Sequence, residues 1–221
     1  LADRTKRLPK SNLKETDVST TLSELTERAK LWRKDIEFTS EIAGTSFDFR
    51  STWGIFSPEK PDAGSLMLID HIDWADLPAD ANSIDLGCGY GILGMVAASK
   101  LPGGHHTLID KDFVAVDYAQ KNLKLNQLTN AEAHLSNGFD QVDKTKKFDL
   151  VMSNLPAKAS KEQHYLYLLD AHARMNPGAC FYVVTINGLR EYMKRSFTEV
   201  FGNTQKIKQG KTYTITLARK Q

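Results

Sequence analysis

Residues 85–94 read Asp85-Leu86-Gly87-Cys88-Gly89-Tyr90-Gly91-Ile92-Leu93-Gly94, four glycines within eight positions, directly after the run Ser83 to Leu86. Glycines at a strand-to-helix junction allow a tight turn and let a ligand approach the main chain. Two parses fit the string. Gly89-x-Gly91-x-x-Gly94 matches the dinucleotide fingerprint, in which a helix N-terminus receives a pyrophosphate. The other parse begins at Asp85, whose carboxylate at the strand end would repel phosphate and suit a ligand with a cationic amino group.

S-adenosylmethionine is such a ligand, with an amino-acid ammonium and no phosphate. The next apolar run, His106 to Asp110, ends in an acid placed to accept hydrogen bonds from ribose hydroxyls under either parse. Spacing leaves both cofactors open. Acids at two successive strand ends nevertheless favour a cofactor site over glycines that merely pack a helix against a sheet.

Around this loop the chain alternates. Helical spacing runs from Gly64 to His71, Ile92 to Lys100, Phe113 to Leu125, Lys161 to Met175 and Leu189 to Phe201. Strand-like runs cover Ser83–Leu86, His106–Asp110, Ala131–Ser136, Phe148–Ser153 and Cys180–Ile186. Two more, Thr204–Gln209 and Thr212–Ala218, turn at Gly210-Lys211, and Asn176-Pro177-Gly178 reads as a helix stop. Strands separated by helices imply βαβ units and a parallel sheet, and the closing hairpin implies an antiparallel strand. The predicted fold is α/β: a doubly wound, seven-stranded, mostly parallel sheet with an antiparallel last strand.

Ahead of it, residues 1–18 are polar and basic with no hydrophobic period, and read as an arm. Thr21 and Glu24 form a predicted capping box, and Leu22, Leu25, Ala29 and Trp32 share one stripe of a helix ending near Lys34. Residues 36–51 hold two β-rich runs meeting near Gly44, a predicted hairpin. The expected organisation is an extension over residues 1–50 and a main domain over residues 51–221.

Composition narrows the function classes. The 221 residues are 41% hydrophobic and 25% charged, as in one globular domain with an appendage. The longest apolar run, Ile92 to Ala98, is seven residues and includes a glycine, so no membrane span is predicted. The first ten residues hold no apolar core, so no secretory leader is expected. Two cysteines, Cys88 and Cys180, argue against a disulfide framework and point to the reducing cytoplasm. Six histidines lack metal-ligand spacing, so no metal site is expected. Net charge is +2, but residues 190–221 hold eight Lys/Arg against two Asp/Glu. A basic end of this kind serves a polyanionic partner or is a solvated face.

A second motif follows the fourth main-domain strand. Asn154-Leu155-Pro156-Ala157 places an amide and a rigid proline just past an apolar run, on the strand-end side where open α/β sheets bind ligands. An Asn carbonyl and a nearby main-chain carbonyl are two acceptors that can grip an exocyclic –NH2 and direct its lone pair. An Asx-type turn is the plain alternative. Cys88 suits close packing better than nucleophilic chemistry, and His164, Tyr165 and Tyr167 on the following helix face substrate, pack or face water.

DLGCGYGILG, the Asp110 strand end and the Asn-x-Pro loop together resemble the Rossmann-like S-adenosylmethionine-dependent methyltransferases. The segment FDFRSTWGIFSPEKPDAGSLML, residues 47–68, is similar to the Gly-Val-Phe-Ser … Asp-x-Gly-Thr stretch of the small-domain group, which includes enzymes that methylate guanine exocyclic amines in small-subunit ribosomal RNA. The resemblance spans roughly residues 36–218. It implies that Asp85, Gly87, Cys88 and Gly89 hold the methionine moiety and that Asp110, with Lys111, holds the ribose. Asn137, Gly138 and Phe139 would lie at the adenine, with Asn137 where the family usually has Asp. Asn154, Leu155 and Pro156 would be the amine-gripping catalytic motif, with Asn154 also beside the cofactor. Ala157 stands where the family carries an aromatic that stacks on the target base, and Lys158 where His often follows; Phe56 or Tyr90 is the candidate replacement surface, and Phe56 and Lys158 are the expected substrate contacts. The implied partner is RNA, with the basic arm (Arg4, Lys6, Arg7, Lys10, Lys14) and the basic C-terminal end as its anchors. A small-molecule or protein-amide methyltransferase, or a non-catalytic RNA-interaction module, is the competing expectation.

Overall fold

The computed structural model describes residues 21–156 and 159–221; the basic arm, Ala157 and Lys158 lie outside the described residues. The chain divides into two compact units, Leu1–Asp35 and Ile36–Gln221. In the first, helix α1 (Leu22–Trp32) starts at the predicted capping box: Glu24 N donates to Thr21 and Thr21 N to Glu24. None of its residues is buried.

The second unit begins with an antiparallel hairpin, β1 (Ile36–Ile42) and β2 (Thr45–Ser51). Ala43 and Gly44 take φ of 52° and 79°, as a two-residue hairpin turn requires. Alternation turns Phe38, Phe47 and Phe49 inward: Phe38 stacks on Phe49 with centroids 5.1 Å apart, and both meet Tyr90 edge-on. The hairpin, grouped from sequence with the extension, therefore packs within the second unit.

The main sheet has the order β5-β4-β3-β6-β7-β9-β8. Its strands are β3 (Ser83–Leu86), β4 (His106–Asp110), β5 (Ala131–Leu135), β6 (Phe148–Asn154), β7 (Met175–Ile186), β8 (Gln205–Gln209) and β9 (Tyr213–Arg219). Strands β3 to β7 are parallel, and β9 is antiparallel to both its neighbours. The seven-stranded, mostly parallel sheet predicted from sequence forms. β9 is last in the chain but not at the edge. Its residues Thr214 to Ala218 are buried, whereas β8, QKIKQ, keeps Lys206 and Lys208 in water, as suits an edge strand.

Helices cover both faces. α2 (Ala63–Ile69), α3 (Ile92–Lys100) and α4 (Phe113–Leu125) pack with the hairpin on one side. α5 (Lys161–Arg174) and α6 (Arg190–Phe201) pack on the other. Successive residues of a strand point to opposite faces. Leu150, Met152, Tyr182 and Val184 accordingly enter the first core, and Val151, Phe181 and Val183 the second.

One boundary differs from the sequence expectation. α5 ends at Arg174, and Met175 already pairs with Phe148, so Asn176-Pro177-Gly178 is a bulge inside β7. Ladder pairing resumes at Leu150 with Cys180. Pro177 has no N–H for the ladder, and Gly178, at φ 82°, turns its N–H to Lys220 O.

Strand order places the site. From β3 the chain winds outward through β4 and β5, then returns to β6 on the other side of β3. The crevice of such a sheet opens at the carboxyl ends on either side of that reversal.

Asn122 of α4, fully buried, ties hairpin to loop: it accepts from Arg50 N at 2.7 Å and donates to Arg50 O and Tyr90 O at 2.9 Å each. Asn122→Ala strands these main-chain groups in a buried place and is expected to cost roughly 3 kcal/mol, read as a lowered urea midpoint with unchanged slope.

Candidate functional site

Three strand ends meet here. Asp85, 1% exposed, sits near the end of β3, and its Oδ2 accepts from Gly94 N at 2.9 Å in the first turn of α3. Its Oδ1 is buried with no partner among the described residues. Burial pushes the Asp85 carboxyl up to about 7, the Gly94 N–H opposes this, and Asp110 adds to it.

The turn between them needs glycine. Gly87, Gly89 and Gly91 have φ of 76°, 55° and 102°, where a side chain is strained. A Cβ on Gly87 or Gly89 would meet nothing within 4 Å, so open space lies over the loop. A Cβ on Gly94 would run into the Leu108 side chain, so that glycine serves close packing of α3 on the sheet.

Gly87 N and Cys88 N donate to Ile109 O at 2.8 and 2.9 Å, fastening the loop to β4. At the end of β4, Asp110 accepts from Gly89 N at 2.9 Å and from Asp112 N at 3.0 Å. Ser136 N donates to Asp110 O at 2.8 Å, which brings the loop after β5 alongside. Asn137 there is exposed and donates to Asp140, and Gly138 lies under the Tyr167 ring. The contact of the Tyr167 ring with Gly138 places α5 at the same wall, and burial and Asp110 push the Tyr167 hydroxyl up.

At the end of β6, Asn154 Nδ2 donates to Asp62 Oδ2 at 2.6 Å and to Ser65 Oγ at 3.1 Å. Leu155 is buried, and its N–H donates to Val184 O at 3.1 Å. Pro156 O accepts from Ala159 N and, at 3.2 Å, from His164 Nε2. A carbonyl can only accept, so Nε2 carries the proton. Burial lowers the basicity of that ring.

This geometry separates the two parses of the glycine string. Two carboxylates border the turn where a pyrophosphate would have to lie: Asp85 accepts from Gly94 N in the first turn of α3, and Asp110 accepts from Gly89 N across the loop. Two acids facing one open glycine loop disfavour a phosphate and suit a ligand with a cationic group. Residues 46–217 match the family model of the methyltransferase small domain. The chain belongs to this family.

Among its relatives, the Bacillus subtilis (strain 168) protein YbxB is 28% identical over 81% of this chain and 89% of its own. The ribosomal RNA large subunit methyltransferase G of Psychromonas ingrahamii is 29% identical, over 85% of this chain and 50% of that protein. In three dimensions the chain superposes on the T. thermophilus 16S rRNA N2 G1207 methyltransferase, solved in complex with AdoMet and guanosine. The TM-score is 0.76 at 27% identity, over 85% of this chain and 51% of that one. The chain thus spans about half the length of the rRNA methyltransferases it matches.

Within this methyltransferase small domain, Asp85, Gly87, Cys88, Gly89 and Asp110 come together around the loop, with exposed Lys111 beyond. The Cys88 thiol is buried and pushed up by that burial and by the neighbouring acids, which makes it a packing group. Phe139 turns its ring into the core against Phe148. Tyr90 is also spent on the fold: it is 3% exposed, and its hydroxyl donates to Ser57 O and Lys60 O. Tyr90 is therefore no stacking surface, whereas Phe56, on the loop that Tyr90 pins, is 63% exposed. His164 is buried, so of its expected roles it takes that of packing rather than facing water.

Sequence reading missed Asp62, Ser65 and the exposed Trp53 on the same loop. Asp62 lies inside the PDAGS string, where it also caps α2 by accepting from Gly64 N and Ser65 N. An acid two residues ahead of a helix glycine was the available signal; its contact with Asn154 bridges 92 residues and had none.

A raised carboxyl has a fixed sign. In the folded chain Asp85 titrates near 7, against an ordinary 3.8, so the fold loses stability as pH rises from about 4 through about 7. Asp85→Asn should be the more stable protein at pH 8, with the advantage vanishing towards pH 4, as read by urea unfolding at both pH values.

Proposed function

We propose that this chain transfers the methyl group of S-adenosylmethionine to a nitrogen, namely the exocyclic amine of a guanine in ribosomal RNA. The observation that carries the reading is a pair of opposed polar ends. Asp85 offers a buried oxygen without a partner among the described residues, and Asn154 has its amide nitrogen tied back so that its oxygen is left as an acceptor.

The residues fit the cofactor. Asp85 would take the ammonium, the open space over Gly87 and Gly89 would admit the methionine chain beside Cys88, and Asp110 with Lys111 would hold the ribose. The loop of Asn137, Gly138 and Phe139 would border the adenine, with Tyr167 behind it. When bound, the cofactor supplies an electrophilic methyl on a sulfonium. The protein then has only to align an amine, and alignment is worth several kcal/mol of barrier, about 7–11 in well-oriented cases. Asn154 Oδ1 and the Leu155 carbonyl are the two acceptors; Pro156 O is already bonded and holds the loop.

Binding an ammonium requires Asp85 ionised. Since burial holds its carboxyl near 7, cofactor affinity should rise as pH rises through about 7 and then level off. Calorimetry checks this, and Asp110→Ala should weaken binding at least about tenfold, the scale of a lost pair of charge-assisted hydrogen bonds. Tight NADH binding with no response to S-adenosylmethionine would overturn the assignment.

The RNA reading is supported by the rRNA methyltransferases among the relatives and by charge. β7 and β8 both run parallel to β6, so the Gly210-Lys211 turn lies at the Asn154 end of the sheet, where Asn187 Nδ2 holds both carbonyls at 3.0 Å. Lys211 of the basic C-terminal end is thereby on the site's side of the sheet, where a phosphate backbone would meet it. Phe56 is the proposed stacking ring, worth ~1–3 kcal/mol per base, with Lys158 as a further contact. Ala157 favours a second reading, in which the acceptor is a small molecule or a protein amide in a cytoplasmic enzyme. Labelled cofactor offered in parallel to ribosomal subunits, total RNA and cell extract separates them. Label in RNA, lost in Asn154→Ala while cofactor binding persists, is the expected result. Label confined to small molecules or protein would overturn the RNA assignment.

A further inference from the structure

We infer that Asp62, seconded by Ser65, is the positioning residue that fixes which face of the Asn154 amide meets the acceptor, and that it thereby restricts the site to groups bearing N–H donors. The inference rests on the proposed role of Asn154.

An Asn side chain presents an oxygen or an NH2 depending on one rotation, and by itself either end can face a ligand. Here the choice is forced. Asp62 is 7% exposed, and its carboxylate is an acceptor only. Oδ1 takes Gly64 N at 2.8 Å; Oδ2 takes Ser65 N at 2.9 Å and Asn154 Nδ2 at 2.6 Å. Nδ2 has a second acceptor in Ser65 Oγ at 3.1 Å. A flipped amide would set its oxygen against the carboxylate in a poorly solvated place, a repulsion with no compensating donor. Asn154 Oδ1 therefore points away from Asp62. The lock also has a rigid base, because the same carboxylate caps α2 and the loop leading to it is held by the Tyr90 hydroxyl through Ser57 O and Lys60 O.

Substituting Asp62→Asn inverts the lock while keeping the Gly64 end of the cap, since Asn also caps helices. Its oxygen at the Oδ1 position keeps Gly64 N at 2.8 Å and Ser65 N at 3.3 Å, and gives up the 2.9 Å bond from Ser65 N to Oδ2. Its NH2 then replaces Oδ2 opposite Asn154 Nδ2, and two donors face each other until Asn154 turns over. The Asn154 NH2 would then face the acceptor amine. Turnover of labelled methyl into total RNA should fall roughly a hundredfold, the cost of a misplaced catalytic contact. Affinity for S-adenosylhomocysteine should stay within about threefold, marking a loss felt in turnover rather than binding. Ser65→Ala leaves the charge and the cap and should lower turnover by a smaller factor.

A second readout does not need activity. In 15N spectra of the ligand-free protein, the Asn154 side-chain amide pair (identified by its absence in Asn154→Ala) should be shifted downfield and protected from exchange, and both features should vanish in Asp62→Asn. If Asn154→Ala abolishes methylation but Asp62→Asn turns over normally, the lock is refuted while the role of Asn154 stands. If wild type methylates no RNA, the RNA reading fails and the amide spectrum still judges the lock: an Asn154 pair unchanged in Asp62→Asn overturns it.

Discussion

The bond from Gly94 N–H to the Asp85 carboxylate is where strand, loop and helix are made to agree. A carboxylate is buried at the end of β3, where its desolvation is costly, and the first turn of α3 supplies a free N–H and the positive end of its dipole in return. That single contact fixes where α3 starts relative to β3. With the start fixed, the chain between them must turn through three positive-φ glycines, and the helix must lie close enough to β4 that Gly94 has no room for a side chain. The same contact sets a carboxylate at the helix terminus, where it opposes a phosphate. One interaction thus sets the local geometry of strand, loop and helix.

The compensation is incomplete, and the remainder bears on function. One oxygen of Asp85 keeps no donor among the described residues, and Asp110 across the loop adds repulsion. Buried polar groups normally find partners, and the ammonium contact proposed for Asp85 would supply the one it lacks. Asp62 is the opposite case. Both its oxygens are engaged, by a helix cap and by an amide, and it has nothing left for a ligand. Two buried acids in one cleft therefore act differently: one is short of a partner and one is saturated.

Fold and site were legible to different depths. The strand and helix pattern was readable because apolar period and turn residues are local, as at Gly44, Asp85 and Gly210. The bulge at Asn176-Pro177-Gly178 was misplaced because a proline and a glycine end a helix and interrupt a strand with the same letters; only pairing of Met175 with Phe148 tells the two apart. Tyr90 looked available because it sits in the glycine loop. Its burial comes from Phe38, Phe49 and Asn122, residues more than thirty positions away whose approach no local pattern records. Asp62 was missed for the same reason. Its cap is local, whereas its contact with Asn154 exists only once β6 has been threaded beside β3.

The route by which Asp62 reaches Asn154 also explains why the hairpin belongs to the site's machinery. The Phe38, Phe47 and Phe49 face clamps Tyr90, Tyr90 clamps the carbonyls of Ser57 and Lys60, and the segment so held delivers Asp62 to the end of β6. Each link is a buried ring or a satisfied polar group, so the chain of contacts is stiff rather than adjustable. A charge held behind an amide also polarises it: donation from Nδ2 to a carboxylate enriches the opposite oxygen. In the proposed reaction Asn154 would thus attract N–H groups more strongly than an ordinary amide while remaining neutral. The negative charge stays behind the amide, where it strengthens the acceptor oxygen from the far side.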